Sequence, residues 1–545
     1  ITDNTVSTPL QASLRYGSYN TKDVNINNTS YSKSLMYQGF YNYYSTDGYS
    51  IRPNSNNRDT TPINRLTTNQ QLKVTLNSKT TLLIGTRLTD ETIKSNIAVS
   101  NGGTTINSNG NEHNTDININ GTLYYRFTSH LKTSFRTYVT NYISKQDLLT
   151  ISGAPYNDLL NHLFKRIENQ TDWAISKKLN GIFGIGAVWE GVKSSRYDNE
   201  NQRKENTIQY GFTQWEWTPY DKLIIVGGIR FDKNATYASA SSPKISLLYK
   251  INQHQKIRVS IGQGFKAPDF RQLYLDFTNA AAGNYSVFGS AQAQKVISQL
   301  NNLGQIGTLY NNYYLLKDLQ PEASTGIHFS WEWTPHPKTF FSAQFFRNDI
   351  RNLIEVQQVG TYISGAQIFS YLNIGSAFTQ GAEFELNQKI NNEWSLSGGY
   401  QYLITGDKDQ IPEIKAGKVY TRNANNISAR LTMSDYVGLP NVSKHKAQLK
   451  LNYANPLGFF ANTRIIYRSK WAVNNTNGND VYDNGDDFAA GYYSLHISLG
   501  KEYQNGMAVQ LGCDNVNNYV DAIHLPNLAG RTFYINFKYQ IQHQH

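Results

Sequence analysis

Apolar and polar residues alternate with a period of two along nearly the whole chain, and no stretch approaches the roughly 20 consecutive apolar residues that a membrane-spanning helix requires. In DININGTLYYRF, Ile117, Ile119, Leu123, Tyr125 and Phe127 share one face, and Asn118, Asn120, Thr122, Tyr124 and Arg126 share the other. The pattern returns at Leu10/Ala12/Leu14/Tyr16, Leu223/Ile225/Ile229/Phe231, Trp394/Leu396/Tyr400/Tyr402 and Phe533/Ile535/Phe537/Tyr539. Such segments are strands with one wet and one apolar face. Only 39% of the 545 residues are hydrophobic, yet 38 are Tyr, 24 Phe and 8 Trp, which suits half-buried β structure.

The connections between strands come in two alternating sizes. Ten short polar turns lie at Tyr31 to Ser34, Asn77 to Thr80, Thr128 to His130, Lys177 to Asn180, Thr218 to Lys222, Ile251 to Gln255, Thr334 to Lys338, Gln388 to Glu393, Ala454 to Gly458 and Gly500 to Gly506. With two strands in each interval and a hairpin at each end, the count is 22. An even number of antiparallel strands, with short turns on one rim and long loops on the other, predicts an all-β transmembrane barrel in an outer membrane. In lipid only helices and closed barrels satisfy every backbone hydrogen bond. A propeller needs a blade-length repeat, and the sequence has none.

The pentapeptide WEWTP occurs at Trp215 to Pro219 and again at Trp331 to Pro335, each time opening a short turn and each time followed by a lysine. No further identity surrounds the copies, so they mark a rim position and not a duplicated domain. Ile327, Phe329, Trp331 and Trp333 run in phase, which sends both indoles to the lipid face and Glu332 to the lumen. In the first copy Ile208, Tyr210 and Phe212 are out of phase with Trp215 and Trp217, so a bulge or a different register is expected there. Glu216 is expected to face the lumen.

The single cysteine, Cys513, excludes an internal disulfide and falls on the apolar face with Val509 and Leu511. The formal charge of +11 is scattered without a Lys/Arg run, which argues against nucleic acid as a partner. ITDNTVSTPLQ has no basic segment followed by an apolar one, so no secretion signal is read at this end. No acid/base or nucleophile constellation emerges, so a barrel enzyme is not expected.

The largest long connection runs from about Lys266 to Gln320, roughly 55 residues. A loop of that size is usually functional or disordered. It opens with GQGFKAPDFRQLYLDF and closes with NNYYLLKDLQPEAS. Phe265, Lys266, Ala267 and Pro268, followed by Arg271, Gln272, Leu273 and Tyr274, resemble the "FRAP…LY" stretch of TonB-dependent outer-membrane receptors. Leu319, Gln320, Pro321 and Glu322 resemble their "LKPE" segment. Asn373 to Gly375 with Gly381 to Glu385, Lys444-His445, Asp514-Asn515-Val516 and Gly530 to Phe533 match further segments in family order.

The resemblance implies active uptake across the bacterial outer membrane, energised through the TonB complex. It also implies a plug domain ahead of the barrel; none is read in these residues, so 1–545 are expected to be the barrel alone, and Ile1 to Pro9 resembles the junction where a plug ends. The segment looks most like that of haem-uptake members, with a ferric siderophore or cobalamin as alternative ligands and a passive porin as the competing class. The ligand is cargo, and no prosthetic group is implied. An extracellular ligand-capture lipoprotein is a further expected partner.

The loop has no histidine, so Tyr285, Tyr310, Tyr313 and Tyr314 are the candidates for ligating ferric iron or stacking on a flat ligand; the simpler reading is that they pack the loop. His113, His162 and His524 are placed on long loops where an external ligand reaches them. Asp480, Asp483, Asp486 and Asp487 in NGNDVYDNGDDF cluster oxygen donors as calcium loops do, without a complete EF-hand pattern; an ordinary polar loop explains them as well.

Overall fold

The computed structural model describes residues 10–52, 60–101, 104–149, 155–197, 202–279, 285–422 and 427–541. The junction expected at Ile1 to Pro9 lies outside them. The chain is a closed antiparallel barrel of 22 strands. Leu10–Gly17 pairs with Thr21–Tyr31 on one side and with the last strand, Thr532–Gln540, on the other, which closes the cylinder of the wall. All ten short turns fall where the sequence places them.

The alternation is an inside/outside code. Ile117 and Ile119 are 43% and 52% exposed on the outer wall, while Asn118 between them is 7% exposed. In a membrane the exposed set faces lipid, and its contact with hydrocarbon replaces contact with water. The inner wall carries polar ladders: Arg136 bonds Glu168 at 2.8 Å, Glu168 accepts from Tyr210 Oη at 2.7 Å, and the Arg230 guanidinium lies 3.8 Å from the Tyr210 ring centroid.

Both copies of the pentapeptide end a strand at the short-turn rim. In the second, Trp331 and Trp333 stand on the outer wall and Glu332 faces inward toward Lys256, 3.8 Å away. In the first, the ladder from Ile208 to Trp217 runs without a bulge against both neighbours. The register is therefore the one in which Trp215 and Trp217 face out, and Tyr210 and Phe212 face the lumen. Their rings occupy the space over Gly186 and Gly184 of the adjacent strand, where a Cβ would collide with them. Glu216 faces inward and accepts from Asn180 Nδ2 at 3.5 Å.

A barrel strand needs only about 9–11 residues to cross the hydrocarbon. Thr80–Asn101, Thr104–Arg126, Pro155–Ser176, Thr339–Tyr362 and Gln367–Lys389 have 22 to 24, so they carry the wall well beyond the membrane on the long-loop side. That tall wall is the support on which the loops fold.

Candidate functional site

The connection between the strands Gln255–Lys266 and Glu322–His336 is an ordered cap with its own core. Its helix Ser290–Asn302 presents Ala293, Val296, Ile297 and Leu300 at helical spacing, and Ala293 and Ile297 are fully buried against Val359 and Ile368 of the tall wall. Full burial of a side chain the size of Ile297 contributes about 1.5–3 kcal/mol, and of a methyl such as that of Ala293 about 0.8 kcal/mol. Backbone pairing adds to this: Tyr285–Phe288 runs parallel to the wall at Ile368 to Ser370, and Ile306–Leu309 runs antiparallel to it at Gly360 to Tyr362.

The residues of the family motif fasten this cap. Lys266 pairs with Glu322 at 3.3 Å, and Glu322 also accepts from the Ile354 N–H at 3.1 Å. Pro268 is buried, and Asp269 with Gln272 forms a capping box at the helix Phe270–Tyr274. Leu319 packs with Leu273, Leu275 and Tyr371 in a second small core. Asn373 accepts from the Gln320 N–H and donates to the carbonyls of Gln320 and Asn352, at 2.7, 2.9 and 2.8 Å. Phe265 and Ala267 are half-buried, whereas Arg271 is exposed.

The Phe270–Tyr274 helix lies against the lumenal wall. His162 shares its strand face with lumenal Glu168, and its ring sits edge-on to Phe270 with centroids 6.4 Å apart; Phe270 in turn lies 6.0 Å from Tyr274. His162 Nε2 meets Glu190 Oε1 at 2.7 Å, and no hydrogen bond to Nδ1 is found among the described residues. Nearby, Arg196 reaches Asp158 at 2.8 Å and lies 5.6 Å from the Phe277 ring, and Lys204 lies 5.7 Å from the Tyr274 ring. Burial, followed by the charge of Asp269, pushes the Tyr197 hydroxyl above its ordinary value. Burial raises Tyr274 as well, against the opposing charge of Lys204.

The other sequence candidates are dispersed. His113 and His162 lie in extended strands and not on loops, because the strands run past the membrane before they turn. His113 points to the outer wall, where Nε2 meets Asp90 Oδ1 at 3.2 Å. His524 does lie on a loop, held by Asp521 at 3.1 Å and facing Asp487 at 3.7 Å. Tyr285 packs edge-on to Phe277 and Phe369, and Tyr313 packs on the cap core with its hydroxyl 3.0 Å from Ser298 Oγ. Tyr310 is 38% and Tyr314 71% exposed.

The four aspartates do not converge on a common point. Asp483 is buried and accepts from Asn477 and Asn479 side chains and the Gly485 N–H, at 2.9, 3.0 and 2.7 Å. Asp486 accepts from the Thr476 and Asp483 N–H groups, Asp487 from Asn474, and the Asp480 carbonyl from Gln410. These bonds tie the 469–491 loop together, and no group of three or more metal-ligating side chains occurs among the described residues. Sequence reasoning missed Glu190 and Phe270 as partners of His162, and it placed Asn373 in a motif without its role as a clamp on Gln320, since each acts through a residue distant in the chain.

A family profile described as TonB dependent receptor-like, beta-barrel matches residues 2–516. The iron-regulated outer membrane virulence protein of Vibrio cholerae is 24% identical over 235 residues, 42% of this chain and 32% of its own length. The chain therefore spans about a third of that relative. The heme/hemopexin utilization protein C of Haemophilus influenzae is 19% identical over 329 residues, 52% of this chain and 43% of that one. Among solved structures, the siderophore receptor PirA from Pseudomonas aeruginosa superposes with a TM-score of 0.68 at 12% identity, covering 98% of this chain and 81% of the other. With a closed 22-stranded barrel and a profile match over most of its length, the chain belongs to the TonB-dependent receptor β-barrel family of the outer membrane.

Proposed function

We propose that the protein is the barrel of a receptor for active uptake of an iron-containing ligand, with haem as its cargo and His162 as an iron-facing residue. The observation that carries this reading is the lumenal His162–Glu190 pair beside Phe270 and Tyr274. A histidine whose one ring nitrogen donates to a carboxylate is held in a fixed tautomer and orientation with a lone pair on the other, the usual arrangement of a metal-binding imidazole. The adjacent rings offer apolar faces to a flat macrocycle. The relatives named for heme utilization and siderophore reception agree with an iron-linked cargo.

A ferric siderophore is the second reading. It is favoured by cation–ring pairs at the long-loop mouth, where Arg468 lies 3.6 Å from the Trp471 ring centroid. In either case coupling to the TonB complex runs through a plug, and an extracellular lipoprotein is the fitting donor of a scarce ligand.

The test is growth of a deletion strain on haem, siderophore iron or cobalamin as sole source beside a TonB-defective control. Absorbance titration of haem onto the purified barrel accompanies it. Growth equal to wild type on all three sources sinks the uptake reading. Haem affinity unchanged in His162→Ala sinks the assignment of His162, whereas His113→Ala is expected to bind as the parent does.

A further inference from the structure

Charge is divided unequally between the two rims. The eleven long connections together carry fifteen basic and fifteen acidic residues. The ten short turns carry Lys33, Lys79, Lys177, Lys178, Lys222 and Lys338 against only Asp221 and Glu393. All six lysines are exposed. Apart from Lys178, whose Nζ donates to the Pro219 carbonyl at 2.9 Å, none has a side-chain partner among the described residues.

A second observation fixes the depth of this belt. The two pentapeptides extend to WEWTPYDK and WEWTPHPK, so that Lys222 and Lys338 each follow the second tryptophan by five residues. Indoles settle at the boundary between hydrocarbon and headgroups, which sets the next turn at the level of the phosphates. Lys501 shows the same relation on the outer wall itself: its Nζ lies 4.4 Å from the Phe459 ring centroid and 5.3 Å from that of Tyr503. Both rings are exposed on the lipid side. A lysine there keeps its stem along apolar surface and its ammonium in the headgroup layer.

We infer that the short-turn rim is a docking belt for anionic phospholipid headgroups of the leaflet on that side. The ligand chemistry is a phosphodiester with net negative charge. The flexible ammonium groups meet it as point charges, in the manner of basic segments at anionic membrane surfaces. The six lysines lie on five of the ten turns, from Lys33 to Lys338, so they order lipid along an arc of the wall and do not form one pocket.

The experiment uses the full chain in vesicles and reads the preference of the lipid annulus for spin-labelled phosphatidylglycerol over phosphatidylcholine. The parent protein is expected to prefer the anionic lipid several-fold, and 1 M salt is expected to remove the preference. Joint substitution Lys33→Gln, Lys79→Gln, Lys177→Gln, Lys178→Gln, Lys222→Gln and Lys338→Gln is expected to bring the ratio close to one. The same number of changes on the long loops, at Lys295, Lys317, Lys408, Lys415, Lys418 and Lys470, is expected to leave it intact. A ratio of one in the parent, a preference that survives in the turn variant, or an equal loss in the loop variant overturns the assignment. So does tight salt-sensitive binding of soluble polyglutamate with no lipid preference, which marks an acidic protein as the partner. The parent's salt titration decides even if the turn variant fails to insert.

Discussion

The indoles of Trp331 and Trp333 stack with centroids 5.8 Å apart and planes 12° from parallel, on the outer wall, while Glu332 between them faces the lumen. The two indoles and the carboxylate therefore answer to different solvents. Trp331→Ala is expected to cost about 1–3 kcal/mol of barrel stability, from lost burial and ring stacking. Glu332→Gln is expected to cost less than about 1 kcal/mol, because its pairing with Lys256 is long and solvated. Urea titration of the vesicle-inserted protein measures both, and a larger cost for Glu332→Gln places that strand in the opposite register.

Gly186 lies under the Tyr210 ring, whose hydroxyl donates to Glu168. Gly186→Val forces the ring off its partner and is expected to destabilise by about 1–3 kcal/mol through overpacking. Gly227, on the outer wall beside Trp215, has nothing within 4 Å of the position a Cβ would take. Gly227→Val is thus expected to be neutral or slightly stabilising, since it adds β propensity and removes glycine's entropy cost. Equal losses in the two variants contradict the inside/outside assignment.

These two glycines also show where the sequence stops being legible. Alternation suffices for Ile117, Asn118 and Ile119, because solvent on one face and lipid on the other act on each residue separately. It fails at Tyr210 and Phe212, which are apolar in type yet lumenal, because what holds them is glycine on a neighbouring strand. The ten turns are readable since proline, asparagine and lysine stop a ladder locally. The cap is not, since Ile297 is buried by Val359 and Ile368 across distant sequence. His162 stands out by residue type alone; its partners Glu190 and Phe270 are brought to it by strand register and by the fold of the cap.

Asn373 fastens the cap with three hydrogen bonds, to both backbone groups of Gln320 and to the carbonyl of Asn352. Asn352 has φ 57°, a left-handed conformation that orients its carbonyl toward this side chain. Asn373→Ala strands these groups, and at about 1 kcal/mol per bond the cap is expected to lose roughly 2–4 kcal/mol of local stability. Hydrogen exchange in residues 285–321 should quicken by one or more orders of magnitude while the membrane-embedded strands are unchanged. Uniform exchange across the barrel and cap defeats the idea that Asn373 acts as a local clamp.

Two long connections are expected to respond to acid in opposite directions. Burial holds the Asp276 carboxyl above the usual carboxylate range, and no hydrogen bond or ion pair reaches that carboxyl among the described residues. The folded cap therefore binds this proton more readily than the unfolded chain does. Its stability is greatest below the ordinary aspartate value and declines as pH rises toward the raised one. Burial also pushes Asp521 upward, but the backbone N–H and ring of His524, with the Ile523 N–H, outweigh it and hold the group low. Asp521 then stabilises the 515–531 loop above the ordinary aspartate value, and that contribution is lost as pH falls through the depressed one. Acidification should thus slow cleavage of the cap by an added protease and speed cleavage of the 515–531 loop, after correction for the protease's own pH dependence. Asp276→Asn should abolish the first response by making the cap permanently acid-like, and Asp521→Asn should loosen the second loop at neutral pH. If both loops respond alike in the parent, the opposed environments of the two carboxylates are not what governs them.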